Sequence, residues 1–403
     1  MNILLRQAKI VDPRSPHHNQ SVDILVQNGI ITSIGQPVTN GFDKEISVDG
    51  LCVSPGWVDL FAHFCDPGFE HRETLASGAA AAAAGGFTQV LIVPNTAPFT
   101  HNKSGVEYTI QKSNHLPVQL LPIGAVTKNG EGKELAEMYD MFSAGAVAFS
   151  DGLKPVQSAG LLLKALQYLK AIDATIIQLP DDQTISPNGL MHEGVVSTRL
   201  GLPGKPSIAE ELAIARDLEL VKYTGSKIHF TGITTAKSVA LIADAKKEGL
   251  AVTCSVTPYH LIFSDDDLKD YDTNLKLTPP LRTAADRAAL QNAVLDGVID
   301  CIASHHLPRN VDEKLVEFEY AKDGMLGLQT SFAVVNSVLP QLTEERLVQL
   351  FSTNAQNIFG LQPSIIQENA PANLTLFSRN VEWALQPKDN LSRSANTPFF
   401  NYA

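Results

Sequence analysis

Cysteine is scarce in this chain and poorly placed for chemistry. Cys52, Cys65, Cys254 and Cys301 are spread over 403 residues with no CxxC spacing. That excludes a disulfide framework and a cysteine-held zinc, and leaves reduced, buried thiols as the expectation. Long apolar runs are lacking as well. None approaches the roughly 20 residues that a bilayer span needs, so no membrane association is expected. Basic clusters are missing too: the formal net charge is −12, from 31 Lys and Arg against 43 Asp and Glu, with no Lys/Arg-rich stripe. Nucleic-acid affinity rests on such stripes, so no nucleic-acid partner is expected. The opening MNILLRQAKIVDP meets charge and a proline too early for a secretory apolar region, which makes the cytoplasm the expected location.

The residues that are present read as a folded α/β protein. Charged residues make up 18% and apolar ones 44%, the balance of a globular chain. The length accommodates one large domain and a smaller one. Residues 3–53 alternate short β-like runs with turns, including Asn28-Gly29 as a hairpin signal. From Pro55 the texture changes to apolar β runs alternating with helical ones, the pattern of a parallel sheet with crossover helices. Eight strands are predicted, at 56–63, 88–95, 118–127, 146–151, 175–180, 227–233, 251–258 and 298–306. Eight closes a (β/α)8 barrel. Two intervening helices are marked by local signals: RETLASGAAAAAAGG stops at Gly85-Gly86, and SIAEELAIARDLELVKY has Ser207 as N-cap with Glu210 three residues on. NLTLFSRNVEW and the last residues return to β-like texture. The expected division is therefore a small β domain built from 1–54 and 360–403, and a barrel from 55–359.

In such a barrel the chemistry sits at the C-terminal ends of the strands. VDLFAHFCDPGFEH, at the end of the first, has the frame of a metal-binding strand end but a single histidine in the place for a ligand pair. The segments DLFAHFCDPGFEH, AAAAGGFTQVLIVPNT, GVVSTRLGLPG, TPYHLIFSDDDL, YDTNLKLTPPLR and IASHHLPR follow in order along nearly the whole chain. Together they resemble class I dihydroorotases of the amidohydrolase superfamily. The resemblance implies a reaction that opens and closes the dihydroorotate ring at a zinc centre. That centre is held by histidines on strands 1, 5 and 6, an Asp on strand 8, and an acidic residue or modified Lys on strand 4.

Carried over position by position, the family's H-x-H-x-R reads Phe61-Ala62-His63-Phe64-Cys65, which replaces a metal histidine and the arginine that clamps the substrate carboxylate. The strand 5 histidine corresponds to Gln178, the strand 6 ligand to Gly232, the strand 8 Asp to His305, the Asn of N-P-P-L-R to Thr278, and a substrate-loop histidine to Arg309. His63 and Asn95 are kept, and the family's consecutive Asp pair is a single Asp151. A catalytic zinc takes about three protein ligands to bind and activate its water, and cysteine does not replace an arginine fork. The expectation is thus a site with no catalytic set intact, no cofactor, and pocket remnants at His63, Asn95, Thr278 and Arg309. Phe61 would partly plug it.

Alternatives remain open in the residues themselves. His63, Asp151 and His305 could form a rebuilt zinc site, Cys65 could act as a thiol nucleophile, and Arg309 could anchor an anion. At the level of function the resemblance implies a dihydroorotase-like protein of pyrimidine biosynthesis, without activity, that serves as a structural partner of aspartate transcarbamoylase and forms homo-oligomers. An active metal-dependent cyclic amidohydrolase and a small-molecule sensor are the other readings.

Overall fold

The computed structural model describes residues 1–400 and 402. The chain opens with β1 (Asn2–Ile10), which pairs antiparallel with β2 (Ser21–Gln27); β2 in turn pairs with β3 (Ile30–Ile34). Asn28 and Gly29 join β2 to β3 with φ of 51° and 80°, the double positive-φ turn that suits the twist of a hairpin. β4 (Lys44–Ile46) and β5 (Cys52–Pro55) run parallel to β1 on its other side.

The barrel follows at once. Its parallel strands are β6 (Trp57–Ala62), β7 (Phe87–Ile92), β8 (Gln119–Gly124), β9 (Ala148–Phe149) and β10 (Ile176–Gln178). After a two-stranded ribbon of β11 (Met191–His192) and β12 (Gly204–Lys205) come β13 (Ile228–Phe230), β14 (Val252–Val256) and β15 (Cys301–Ile302). All eight predicted strands are present, shorter than drawn, in sequential order around one sheet. The seam between β15 and β6 is closed by His63 N–H donating to the His306 carbonyl at 2.9 Å, and by Asp59 accepting from Ser304 N at 2.6 Å and Oγ at 2.9 Å.

Alternation along the strands divides the apolar residues into two layers. Val58, Leu91, Ile123, Ile177 and Ala303 fill the interior, which Ala355 and Phe359 plug from one end. Trp57, Val90, Ile176, Ile228 and Phe230 face the helices. The alanine-rich run forms the helix Leu75–Ala84 and ends at Gly85, as its sequence predicts. Small side chains let it approach closely: a Cβ on Gly78 would lie 2.7 Å from the Phe64 ring.

Two expectations need correction. The helix Ile208–Thr224 forms, but Ser207 has helical backbone angles and makes no side-chain cap. Glu210 turns inward instead and accepts from Thr234 N at 2.8 Å and Thr235 N at 3.1 Å, so a tertiary partner outcompetes the local cap. At the far end, β16 (Leu374–Phe377) pairs antiparallel with β5. The residues after it form no further strand among those described. They return to the barrel, where the Ser392 hydroxyl and the Arg393 N–H donate to Glu73, and Asn396 bonds Leu307 and Arg309. Among the described residues no helix is long and apolar enough to cross a membrane. All four cysteines are free and buried.

Candidate functional site

The strand ends converge on a closed mouth. Phe61, at the end of β6, is buried, and its ring lies 4.6 Å from that of His305 with 33° between the planes. Two residues on, His63 donates from Nε2 to the Asn95 carbonyl at 2.7 Å and accepts at Nδ1 from the Cys65 thiol at 3.0 Å. Both nitrogens are therefore committed. Burial pushes His63 down to about 4 and the Cys65 thiol up to about 12. The pair is a neutral imidazole and a neutral thiol near pH 7, without the thiolate that a nucleophile requires.

Asn95 ties this strand end to the next. Its Nδ2 donates to the Asp151 carbonyl at 3.1 Å and its Oδ1 accepts from Leu153 N at 3.0 Å. Asp151, which follows β9, is buried and turns its carboxylate to the loop after β8. There it accepts from Val126 N at 2.9 Å, Thr127 N at 2.8 Å and the Thr127 hydroxyl. Burial, partly offset by these donors, raises its carboxyl to about 6.

Gln178 does not belong to the mouth, contrary to the sequence expectation. Ile177 points into the barrel and Ile176 toward the helices, so alternation sends Gln178 outward. Its amide bonds Val156, with Nε2 donating to the carbonyl at 3.2 Å and Oε1 accepting from N–H at 3.5 Å. The buried Leu179 is next in the inward series.

At Gly232 the backbone is left-handed, with φ +66°, and a Cβ there would lie 2.6 Å from His305 Cε1. The His305 ring occupies the space that a histidine at 232 would need. Its Nε2 pairs with the Thr231 hydroxyl at 2.7 Å, and desolvation lowers its pKa. His306 accepts at Nδ1 from Gly327 N at 3.3 Å and donates from Nε2 to the buried Glu73 at 3.3 Å. Thr278 is exposed and bonds Asp323. Arg309 spends Nε on the Asp323 carbonyl at 2.7 Å and sets Nη1 3.7 Å from Glu313, so its guanidinium braces a loop.

Sequence reasoning missed His260 and His229. His260, inside the quoted TPYHL segment, accepts from the Thr257 hydroxyl at 2.7 Å and donates to the Pro279 carbonyl at 3.2 Å. His229 pairs with the hydroxyls of Thr253 at 2.9 Å and Ser255 at 3.0 Å inside the barrel. A Ser or Thr within three residues flags the first; nothing local flags the second, whose partners lie one strand away.

Between Phe61, His63, Tyr259, His260, His305 and Met325 the mouth leaves about 20 Å³, room for a single water. These residues do not fit the zinc centre that the family resemblance implies. The first ligand position is a phenyl ring, the strand 6 position has no side chain, and His63 and Asp151 hold other partners with all their donor atoms. Among the described residues no three His, Cys, Asp or Glu side chains gather as a metal-binding group, the trio His63, Asp151 and His305 included.

Comparison with known proteins fits this architecture. A family described as dihydro-orotase-like matches residues 50–238. The dihydroorotase of Syntrophus aciditrophicus is 37% identical over 407 residues, covering 100% of this chain and 95% of the relative. That of Acetivibrio thermocellus is 39% identical over 404 residues, covering 99% and 95%. Among solved structures, the L-hydantoinase from Arthrobacter aurescens superposes with a TM-score of 0.85 at 24% identity, over 99% of this chain and 92% of that one. That likeness shows the shared fold. With a barrel of eight parallel strands, a flanking β sheet and full-length relatives of this similarity, the chain belongs to the dihydroorotase-like family of the amidohydrolase superfamily.

Proposed function

We propose that this chain is a non-catalytic dihydroorotase-like barrel of pyrimidine biosynthesis that acts as a structural partner of aspartate transcarbamoylase, itself assembled as a homo-oligomer. The filled mouth carries the reading. Small-molecule sites usually enclose about 300 Å³ or more, against about 20 Å³ here, and the Phe61 and His305 rings take up the centre. The same closure counts against a sensor that reuses the old pocket. Metal, proton shuttle and carboxylate clamp act as a unit, and loss of several members is not made good by the remainder.

The test has two arms. Protein purified from zinc-containing buffer should retain less than about one tenth of an equivalent of metal, since several ligands together hold such an ion, and should turn over neither dihydroorotate nor carbamoyl aspartate. Mixed at micromolar concentration with the aspartate transcarbamoylase of the same organism, it should co-elute in size-exclusion chromatography with light scattering. Near-stoichiometric zinc with turnover, or separate elution, overturns the corresponding half.

A second reading is favoured by the names of the relatives: proteins 37–39% identical over the full chain are called dihydroorotase, which suits an active cyclic amidohydrolase with a rebuilt site. In that case turnover would be measurable, and His63→Ala would abolish it.

A further inference from the structure

The loop after β15 combines two features that rarely occur together in a solvated loop. Its apolar side chains face solvent: Leu315 is 82% exposed, Tyr320 69%, Val311 61% and Val316 38%, all within ten residues. Yet the backbone that carries them is tightly fixed. Lys314, itself buried, donates from Nζ to the Thr273 carbonyl at 2.6 Å and the Lys322 carbonyl at 2.8 Å. Lys276, also buried, donates to the carbonyls of Phe318 at 2.8 Å and Glu319 at 2.9 Å. Two cationic side chains withdrawn from water thus clamp four carbonyls, three of them in this loop or at its end. Burying an ammonium is costly, and a packed core has no need of it under a loop whose apolar side chains point outward. A rigid loop with exposed aliphatic and aromatic side chains is organised in advance for binding, because the ordering cost is met before the partner arrives.

The charge around these side chains decides between occupants. Asp312, Glu317 and Glu319 are exposed on the same loop, against one exposed lysine, Lys322. A second copy of this chain in a two-fold contact would bring the same patch, and the same acidic rim, face to face, and like charges across an interface are unfavourable. Anionic lipid is disfavoured on the same ground.

We infer that the loop Val311–Tyr320 is a docking face for a different protein, one whose surface offers an apolar cleft rimmed by lysine or arginine. The inference rests on the assembly role proposed above and names the surface that performs it. Leu315 and Tyr320 enter the cleft, and Glu317 and Glu319 meet the basic rim and set the orientation of approach.

The test uses the full chain with the aspartate transcarbamoylase of the same organism as probe, and reads Kd by light scattering or calorimetry. Leu315→Ser with Tyr320→Ser should weaken the complex at least about tenfold, the loss expected when central anchors of an interface are truncated. Glu317→Lys with Glu319→Lys should weaken it comparably and flatten its salt dependence. Ile208→Ser with Leu212→Ser, on an exposed stripe of the helix Ile208–Thr224, should leave it unchanged. All three pairs alter exposed side chains, and an unchanged thermal midpoint confirms folding. A complex retained within about twofold by both loop pairs overturns this face while leaving the assembly role standing. A change in the chain's own oligomeric state in the loop pairs overturns it in favour of a second copy. Failure of the wild-type chain to bind overturns the assembly role and this face with it.

Discussion

Replacing Gly232 by alanine should destabilise the barrel by about 2–4 kcal/mol, although the change adds one methyl group. Two effects add. With φ at +66°, an L side chain costs about 1 kcal/mol relative to glycine. The new Cβ would also sit 2.6 Å from His305 Cε1 and 3.2 Å from Nε2, too close to be accommodated at rest. The ring would have to leave the Thr231 hydroxyl and its tilted contact with Phe61, and overpacking of a fitted core costs about 1–3 kcal/mol. A double-mutant cycle separates the two. In a His305→Ala background the ring is gone, so Gly232→Ala should cost only the backbone part, about 1 kcal/mol, which leaves a coupling of about 1–3 kcal/mol between the positions. Urea unfolding at pH 7.5 measures all four corners. A cost below about 1 kcal/mol in the wild-type background, or equal costs in both, would refute the claim that residue 232 and the His305 ring compete for one space. It would also remove the reason why a histidine restored at 232 alone cannot reach a metal.

Two further perturbations follow from buried titratable groups. Asp217 is buried and pushed up to about 6 by desolvation, with Arg216 donating to Oδ1 at 2.7 Å and Oδ2 unpartnered. Its folded pKa lies above the unfolded value, so its contribution is most favourable below about pH 4 and is lost as pH rises through 6; Asp217→Asn should raise Tm at pH 8 and not at pH 4, and a lower Tm at pH 8 would show that the Arg216 pair outweighs burial. His63 and His260 are pushed down to about 4 and His229 to about 3, all by burial, against about 6.5 unfolded. The stability present above pH 6.5 should therefore fall as pH drops toward 4, by about 2 kcal/mol per histidine at pH 5; a urea midpoint flat from pH 7 to pH 5 would refute it.

Much of the fold was legible because its signals are periodic and local. Alternating apolar runs located all eight strands, Asn28-Gly29 the hairpin and Gly85 the helix end. The site was legible where a strand end keeps its register, as at Phe61-Ala62-His63. It failed at Gln178, because β10 has only three residues and a slip of one residue along a strand exchanges inside for outside. Glu210 failed differently: the spacing from Ser207 suits a cap, but the amides of Thr234 and Thr235 lie in a loop that only the closed barrel brings near. The position of the His305 ring depends on a left-handed backbone at both 305 and 232, which sequence does not announce.

The way the mouth is filled bears on the stability of the barrel. A metal site that had simply lost some of its ligands would leave the others buried and unpaired, and each such group costs about 1–3 kcal/mol. Here His63, Asn95, Asp151, Thr231, His260 and His305 all have internal partners. The unpartnered buried side-chain atoms among the described residues fall on other side chains: His18, Arg72, Gln89, His101, Asp217 and Asn310. Substitution destabilises by about 1 kcal/mol a time against a total margin of about 5–15, so the internal partners of these side chains spare the barrel a cost that unpaired mouth groups would add. On the non-catalytic role proposed above, the surface in use is the rigid, apolar and acid-rimmed loop after β15.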